Sequence, residues 1–315
     1  RSHRVRVEAY RAPPGVKRHR ATSRTGSTGA GNVTGDGIDV RRASTAEAWT
    51  AVIVGTVGEV RGGVAMTNAD EIREQQRQTW DRFSRGWEKW DRVVLPMLEP
   101  VGEEMIRLLG VREDAHHLDI ASGTGEPALT IAAHTPAGHV VLTDPAEGMI
   151  DVARRSAASR SVHNVEFRVC GADDLPFADE TFDSVSCRFG LMFFPDIAAG
   201  VREMLRVLKP GGRLCAAVWA GPEGNPWATL PMAAMAAEVA LPPTPPDAPG
   251  LFRCAAPGMI ADIFGAAGFR EVAETDVRAA LVTTSSRPCD SASRRNNMAI
   301  MRSANGCGVP LQFAW

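Results

Sequence analysis

The stretch His117-Leu-Asp-Ile-Ala-Ser-Gly-Thr-Gly125 decides the fold of this chain. Leu118 and Ile120 predict a short buried strand, and the glycines let the backbone turn tightly and approach a ligand without an intervening Cβ. Pro127 stands where a helix can begin without losing a hydrogen bond. Residues 140–144, Val-Val-Leu-Thr-Asp, then predict a second strand that ends in a carboxylate. This order predicts half of a doubly wound, mostly parallel α/β sheet of the Rossmann-like type.

Two kinds of ligand use such a glycine turn. The glycines with Ala128 fit the dinucleotide fingerprint, and Asp144 follows Gly125 at nearly the spacing expected of a ribose-binding acid. Asp119, however, precedes the glycines, where its carboxylate would repel a pyrophosphate. S-adenosylmethionine carries an ammonium and a sulfonium, which a carboxylate attracts. The position of Asp119 therefore favours S-adenosylmethionine over a nicotinamide dinucleotide.

Three further motifs follow in order along the chain. They are Val165-Glu-Phe-Arg168 with Gly171-Ala-Asp-Asp-Leu-Pro-Phe177, Phe182-Asp-Ser-Val-Ser-Cys-Arg-Phe-Gly190, and Leu208-Lys-Pro-Gly-Gly-Arg-Leu214. Together with residues 118–125 and Asp144, they resemble the class I S-adenosylmethionine-dependent methyltransferases, in particular the ubiquinone/menaquinone-biosynthesis-like branch that acts on small molecules. The resemblance runs from about Thr79 to Val282. It departs from a common family pattern at Gly171, where many members have an aspartate.

The resemblance implies that S-adenosylmethionine is the cofactor. Asp119 is expected to hold its ammonium, Asp144 its ribose hydroxyls, and the backbone N–H groups of residues 121–125 its carboxylate and ribose side. As alternatives, Asp119 could cap a turn and Asp144 could cap the helix that follows it. The residues expected to contact the cofactor are Asp119, Ala121, Ser122, Gly123, Thr124, Gly125, Asp144, Pro145, Met149, Gly171, Ala172, Asp173, Cys187 and Arg188.

Aromatic residues indicate where the methyl acceptor binds. Trp80, Phe83, Trp87 and Trp90 recur at helical spacing, which suits either core packing or a lid over the acceptor. On the acceptor side, Arg188 and Phe189 are the residues expected to position the substrate, with Trp219, Pro226 and Trp227 approaching from the fifth strand of the resemblance. Such a lining suits a flat or lipophilic acceptor such as a quinol or a phenol.

Arg188 itself allows two interpretations, an ion pair with an acceptor oxyanion or a surface ion pair without a function. No histidine is placed as a general base, because His116 and His117 belong to the first strand and are expected to be packed. The absence favours an acceptor that ionises easily, methylated on carbon or oxygen.

Composition excludes several other classes of protein. The chain has 315 residues, of which 44% are hydrophobic, and no apolar run approaches the roughly 20 residues of a membrane span. Six cysteines without metal-ligand spacing favour reduced cytoplasmic thiols and no metal site. Scattered basic residues in the terminal segments do not indicate nucleic-acid binding. The expected partner is a small-molecule acceptor, and the oligomeric state is not indicated.

The expected domain is residues 66–286, with helical cap insertions at its beginning and at 220–256. Residues 1–65 show no sustained periodicity and are predicted to be disordered or a non-native upstream extension, with Met66 as the true start. Residues 287–315 are predicted to be an irregular tail with the pattern of a shifted reading frame. Residues 271–282 supply a sixth strand, so the seventh strand of such a sheet is predicted to be missing.

Helices are predicted at 75–98, at 100–109 before Gly110, at 146–157, at 196–208, near 228–240, and from Pro257 to Gly268. The predicted activity is methyl transfer from S-adenosylmethionine to a small apolar or aromatic acceptor. Two alternatives stay open, an NAD(P)-dependent oxidoreductase and a catalytically inactive nucleotide-binding protein.

Overall fold

The structure, a computed structural model, describes residues 2–14, 69–238, 245 and 247–280. The expectations about Met66 and about residues 287–315 therefore lie outside the described residues. Within those ranges, no helix is both long enough and apolar enough to cross a membrane.

Five parallel strands form one side of a seven-stranded sheet, with β4 at its edge. They alternate with helices, except between β4 and β5, as the glycine turn predicts, and they lie in the order β4-β3-β2-β5-β6. Their core-facing side chains, such as Leu118, Leu142 and Val185, are fully buried, which is typical of parallel strands covered on both faces. The strands are β2 (His116–Ile120), β3 (His139–Asp144), β4 (Val165–Val169), β5 (Phe182–Arg188) and β6 (Leu208–Trp219).

Two strands from opposite parts of the chain complete the sheet beyond β6. β1 (Ser2–Arg11) lies between β6 and β7 (Arg270–Ala280) and is antiparallel to both. Val5 faces Trp219 of β6 and Val277 of β7 in the register. The sheet therefore has seven strands, and the prediction that the seventh is missing is wrong.

The prediction of disorder in residues 1–65 does not hold at residues 2–11, which form β1. The strand alternates in Arg4-Val-Arg-Val-Glu-Ala-Tyr10, a period of two that spans too few residues to stand out in a segment of that length. Two of its charged residues, Arg6 and Glu8, are buried but paired, since Arg6 Nε lies 3.1 Å from Glu274 and Tyr10 donates a hydrogen bond to Glu8. The pairing partners lie more than 200 residues away in sequence, beyond the reach of local patterns.

A single helix of 41 residues, α1 (Ala69–Leu109), replaces the two predicted helices. Pro96 and Pro100 lie inside it, although proline removes a backbone hydrogen bond and usually ends a helix. The turns beyond Pro100 bury Val101 and Met105 completely in the core, and this packing favours continuation. Gly110, with φ of +54°, follows its end as predicted.

The remaining helices follow the predictions to within a few residues. Asp196 caps α4 by accepting a hydrogen bond from Ala199 N at 2.9 Å, and Gly268 ends α6 in a left-handed conformation. α1 packs against α3, and α4 packs against α6. These helices are α2 (Ala128–His134), α3 (Glu147–Ser159), α4 (Ile197–Val207), α5 (Pro226–Glu238) and α6 (Met259–Ala267).

Candidate functional site

The carboxyl ends of β2, β3, β5 and β6 open into one cavity of about 560 Å³. Ligands bind at this edge in open α/β sheets, and α1 crosses over it. The cavity brings together most of the residues predicted from sequence. Its wall includes Ala121, Ser122, Gly123, Thr124, Asp144, Pro145, Met149, Gly171, Ala172, Asp173, Arg188 and Phe189.

The glycine turn after β2 is held in a shape that only small residues allow. Gly123 and Gly125 have φ of +53° and +115°, and a Cβ on Gly125 would stand 2.8 Å from Leu129 Cδ1. Ser122 N donates to the Thr143 carbonyl at 2.9 Å, which ties the turn to β3. Gly125 N donates back to the Ser122 carbonyl at 2.9 Å. The turn therefore uses several of its own backbone donors.

Asp144 binds the turn from the end of β3. Its Oδ2 accepts a hydrogen bond from Gly123 N at 3.0 Å and its Oδ1 accepts one from Ala146 N at 2.9 Å. Burial raises the pKa of Asp144 to about 6, against the effect of these two bonds. Each carboxylate oxygen can accept a second bond, so the structural and ribose-binding interpretations are compatible.

A buried polar ladder underlies the predicted acid Asp119. His117 contacts the hydroxyls of Ser184 and Ser186 through its two ring nitrogens at 2.7 and 2.9 Å, and Ser186 donates to Asp119 Oδ1. His117 is packed as expected, and burial lowers its pKa to about 3. Sequence analysis missed the two serines. The signal that could have found them is their spacing in the motif of residues 182–190, since Ser184 and Ser186 face the same side of the strand as Arg188.

Asp119 is 1% exposed and lies beneath the cavity, outside its wall. Its Oδ2 has no hydrogen-bond partner among the described residues, and the same holds for the buried Oγ of Ser122. Burial raises the pKa of Asp119 to about 7, only partly offset by the bond from Ser186 and by the charge of Arg188. A buried acceptor left unpaired is costly, and a donor from a ligand would remove that cost.

Besides Asp119, two predicted cofactor residues are not on the cavity wall. Gly125 supports the turn from behind, against Leu129. Cys187 is fully buried in the core next to Gly190, and burial raises the pKa of its thiol. Successive side chains of a strand point to opposite faces. Ser186 and Arg188 therefore lie on one face of β5, and Cys187 lies on the other. The structure gives Cys187 no contact with the cavity.

The predicted adenine loop forms one side of the polar end. Cys170, Gly171, Ala172 and Asp173 follow β4 and line the cavity together. Asp173 forms an ion pair with Arg73 of α1, a contact that sequence patterns did not reveal.

Aromatic rings line the other end of the cavity. Phe189 stacks on Trp219 with ring centroids 4.6 Å apart at 13°, and Trp219 contacts Trp227 at 4.8 Å. Trp80 of α1 meets Phe193 edge to face at 5.0 Å. Trp87 and Trp90 also line the cavity whereas Phe83 does not, so the aromatic stripe of α1 is largely a cavity wall.

Asn225 connects the aromatic end to β1. Its side-chain amide donates to the carbonyls of Arg4 and Ala220 at 3.1 and 2.9 Å, and its Oδ1 accepts from Trp227 Nε1 at 3.1 Å. Asn225 is fully buried. The orientation of Trp227 therefore depends on a strand more than 200 residues away in sequence.

Polar contacts hold α1 over the cavity. Asp81 accepts a hydrogen bond from Gly148 N at 2.7 Å, and Glu88 pairs with Arg155 at 2.8 Å. Asp91 accepts a hydrogen bond from Thr124 of the glycine turn at 3.1 Å, and burial raises the pKa of Asp91 to about 6. These residues also escaped sequence analysis, because their partners are set by the docking of α1.

Comparisons with known proteins agree with this geometry. Residues 101–226 match the model of the ubiE/COQ5 methyltransferase family. A demethylmenaquinone methyltransferase of Listeria monocytogenes serotype 4a is 34% identical over 151 residues, which cover 47% of this chain and 63% of the relative. The ubiquinone/menaquinone biosynthesis C-methyltransferase UbiE of Pseudomonas putida is 46% identical over 111 residues, 35% of this chain and 43% of the relative. The chain thus spans less than two thirds of the length of these curated relatives.

A solved structure, a putative methyltransferase from Bacillus halodurans C-125, is 32% identical and covers 36% of this chain and 48% of its own, with a TM-score of 0.33. The match to the family model covers the glycine turn, Asp144 and the motifs that contain Arg188 and Leu208. They confirm the predicted resemblance to class I S-adenosylmethionine-dependent methyltransferases of the ubiquinone/menaquinone type.

Proposed function

We propose, from this confirmed resemblance, that the protein transfers a methyl group from S-adenosylmethionine to a small, flat, apolar ring, on carbon or oxygen. The observation that carries the proposal is the single cavity that joins a polar end at the glycine turn to an aromatic end at Trp219. The curated relatives are named for menaquinone and ubiquinone methylation, which supports a quinol-type acceptor.

The polar end fits S-adenosylmethionine. Asp119 Oδ2 can accept a hydrogen bond from the ligand, and Ser122 Oγ can donate or accept one, since both are buried without a partner among the described residues. Asp144 can accept further hydrogen bonds from ribose hydroxyls. The backbone of 171–173 lines the side expected for adenine. A dinucleotide fits less well, since its pyrophosphate would approach the carboxylate of Asp119.

S-adenosylmethionine supplies a methyl group that is already activated on sulfur, so the protein mainly positions the acceptor and excludes water. Phe189, Trp219 and Trp227 line the aromatic end of the cavity, where a planar acceptor would pack against them. α1 closes the cavity above them. Among the described residues that line the aromatic end, none carries a carboxyl or an imidazole, which supports an acceptor that ionises easily.

We also propose the cytoplasm as the site of the reaction. The cysteines at 170, 187, 215 and 254 are free thiols in the structure, which supports a reducing compartment.

The direct test uses the full chain and two measurements. Calorimetric titration with S-adenosylhomocysteine is expected to show binding, whereas NADH is expected to show none. Transfer of labelled methyl from S-adenosylmethionine to a panel of naphthohydroquinones and phenols is then expected to yield product. Trp219→Ala serves as the matched variant, with S-adenosylhomocysteine affinity kept and acceptor turnover reduced. Binding of NADH alone would overturn the proposal.

A further inference from the structure

The guanidinium of Arg188 is the only cation on the cavity wall that the described residues leave without an ion pair or a hydrogen bond. Three carboxylates lie around it, those of Glu126, Asp119 and Asp91. None is close enough to form an ion pair, and two of the three are engaged elsewhere. Glu126 binds Thr130 and Arg160, and Asp91 binds Thr124. Arg188 therefore offers an unused anion-binding group inside the cavity.

The pleat of β5 determines where this group lies. Ser186 and Arg188 are two residues apart, so their side chains leave the same face of the strand. Ser186 donates to Asp119, whose residue pairs with Ser186 across β2 and β5. Arg188 is one pleat further along, at the edge where the cavity begins. A positive and a negative group are thus neighbours at the polar end.

The glycine turn has few donors left for an anion. Ser122 N, Gly123 N and Gly125 N are each bound within the protein, at 2.9, 3.0 and 2.9 Å. Three of the five backbone N–H groups of 121–125, which are expected to hold the cofactor carboxylate, are therefore already bound within the protein. The helix that follows, α2, has only seven residues. A charged side chain on the cavity wall is thus the stronger candidate donor for the anion.

An α-amino acid carries its ammonium and its carboxylate on one carbon, so it needs adjacent groups of opposite charge. The cavity wall has one other such pair, Arg73 with Asp173, but these two residues bind each other on the expected adenine side. Arg188 and Asp119 are therefore the pair of opposite charge that is available to bind the α-amino acid group.

We propose that Arg188 binds the α-carboxylate of the methionine part of the cofactor, while Asp119 takes its ammonium directly or through water. The inference rests on the proposed function and makes it more specific. Arg188 is then a cofactor-positioning residue, not an acceptor-binding one. When Arg188 binds the cofactor, no cation of the described cavity wall is left for the acceptor, so the acceptor class is a ring that brings no carboxylate or phosphate.

The test compares S-adenosylhomocysteine with its decarboxylated analogue, S-adenosyl-3-thiopropylamine, by calorimetry on the full chain. The wild type is expected to prefer S-adenosylhomocysteine by about 10- to 100-fold, the size of one charge-assisted hydrogen bond to a desolvated group. Arg188→Met is expected to remove that preference, weakening S-adenosylhomocysteine by the same factor and the analogue by less than about threefold. Arg188→Lys is expected to restore part of the preference, because it keeps the charge without the fork geometry.

Each outcome has a separate meaning. A Met variant that weakens both ligands equally, or that keeps the preference and raises only the KM for the acceptor, overturns the inference. A wild type that binds neither ligand overturns the proposed function itself. Arg188→Met removes an unpaired, half-buried charge and is expected to fold, as its melting midpoint will show. If it does not fold, the preference measured in the Lys variant decides, since an unchanged ratio contradicts a role at the carboxylate.

Discussion

The parallel and antiparallel parts of the sheet differ in how their partners are distributed along the chain. β2 to β6 lie within residues 116–219, and each strand pairs with a neighbour supplied by the same continuous segment. β1 and β7 come from residues 2–11 and 270–280, and they pair with each other across almost the whole described chain. The strands of the parallel part therefore lie within one continuous segment, whereas the antiparallel part forms only when the two ends of the described chain pair.

The two parts also support different ends of the cavity. The polar end stands on β2, β3 and β5, whose strand ends place the glycine turn, Asp144 and Arg188. The aromatic end depends on β6 and on the loop that Asn225 ties to Arg4 of β1. Cofactor binding and acceptor binding should therefore respond differently to changes in the two parts, which the following predictions examine.

Removal of residues 1–14 should have the largest effect. Val5, Val7 and Tyr10 are core residues, and losing them together should cost more than about 5 kcal/mol, comparable with the stability of a whole domain. Urea denaturation followed by circular dichroism is expected to show loss of the cooperative transition. Arg4→Ala, at an exposed side chain of the same strand, is the control. A truncated chain that unfolds at the same urea concentration would show that β1 is dispensable.

Asp119→Asn should separate stability from function in the parallel part. We expect S-adenosylhomocysteine affinity to fall about 10- to 100-fold, because a neutral amide cannot balance an ammonium. The ligand-free variant should melt at a higher temperature at pH 8, since burial raises the pKa of Asp119 to about 7 and makes its charged form unfavourable. Asp276→Asn, at an exposed position on β7, is the control for both measurements. An unchanged affinity would remove Asp119 from the site.

A rise in pH should lower the stability of the ligand-free protein and raise its affinity for S-adenosylhomocysteine. The pKa of Asp119 is raised to about 7 in the folded protein, so its contribution to stability is complete below the unfolded pKa near 4 and is lost as pH rises through 7. Binding of an ammonium needs the carboxylate ionised, so affinity should fall by about tenfold per pH unit below 7.

Asp144, whose pKa is raised to about 6, should add a similar dependence at lower pH. Melting curves and calorimetry between pH 5.5 and 8.5 would show both trends. In Asp119→Asn the part that lies near pH 7 should disappear, and its persistence would assign the titration to another group.

Asn225→Ala tests the antiparallel part without removing a strand. The substitution removes the side-chain donor of the Arg4 and Ala220 carbonyls, although the Arg4 carbonyl keeps the bond from Ala220 N at 3.2 Å, and it should cost about 1 to 3 kcal/mol. Because Trp227 Nε1 also loses its hydrogen bond to Asn225, the KM for the acceptor should rise while S-adenosylhomocysteine affinity changes little. Asn164→Ala, which removes comparable amide bonds under the parallel part, is the matched comparison. Equal losses of cofactor affinity in both variants would show that the two ends are not separable.

The smallest effect on ligand binding is expected at the exposed ion pair between α1 and α3. Glu88 pairs with Arg155 at an exposed position, and such pairs contribute little. Glu88→Gln should change the dissociation rate of S-adenosylhomocysteine by less than about threefold, measured by stopped-flow fluorescence of the tryptophans. A larger change would mean that release of α1 limits ligand exit.

Sequence patterns predicted the parallel part well because its information is local. The glycine turn, the acid after β3 and the Pro-Gly turn at the start of β6 each express a backbone requirement within a few residues. Asp91, Ser186 and Asn225 were not predicted, since each acts through a partner brought near only by the fold. β1 was missed for the same reason, and the continuous α1 because packing beyond Pro100 outweighs the local preference of proline.

The register of β1 also has a consequence for biosynthesis. A ribosome makes Ser2–Arg11 about 200 residues ahead of β6 and still longer ahead of β7. At about 5 to 20 residues per second, the nascent strand waits roughly 10 to 50 seconds without its neighbours. During that time its valines and Tyr10 are open to other nascent chains and to chaperones. Yield from translation should therefore depend on elongation rate and on chaperone supply, whereas refolding of a complete chain from urea presents all strands at once.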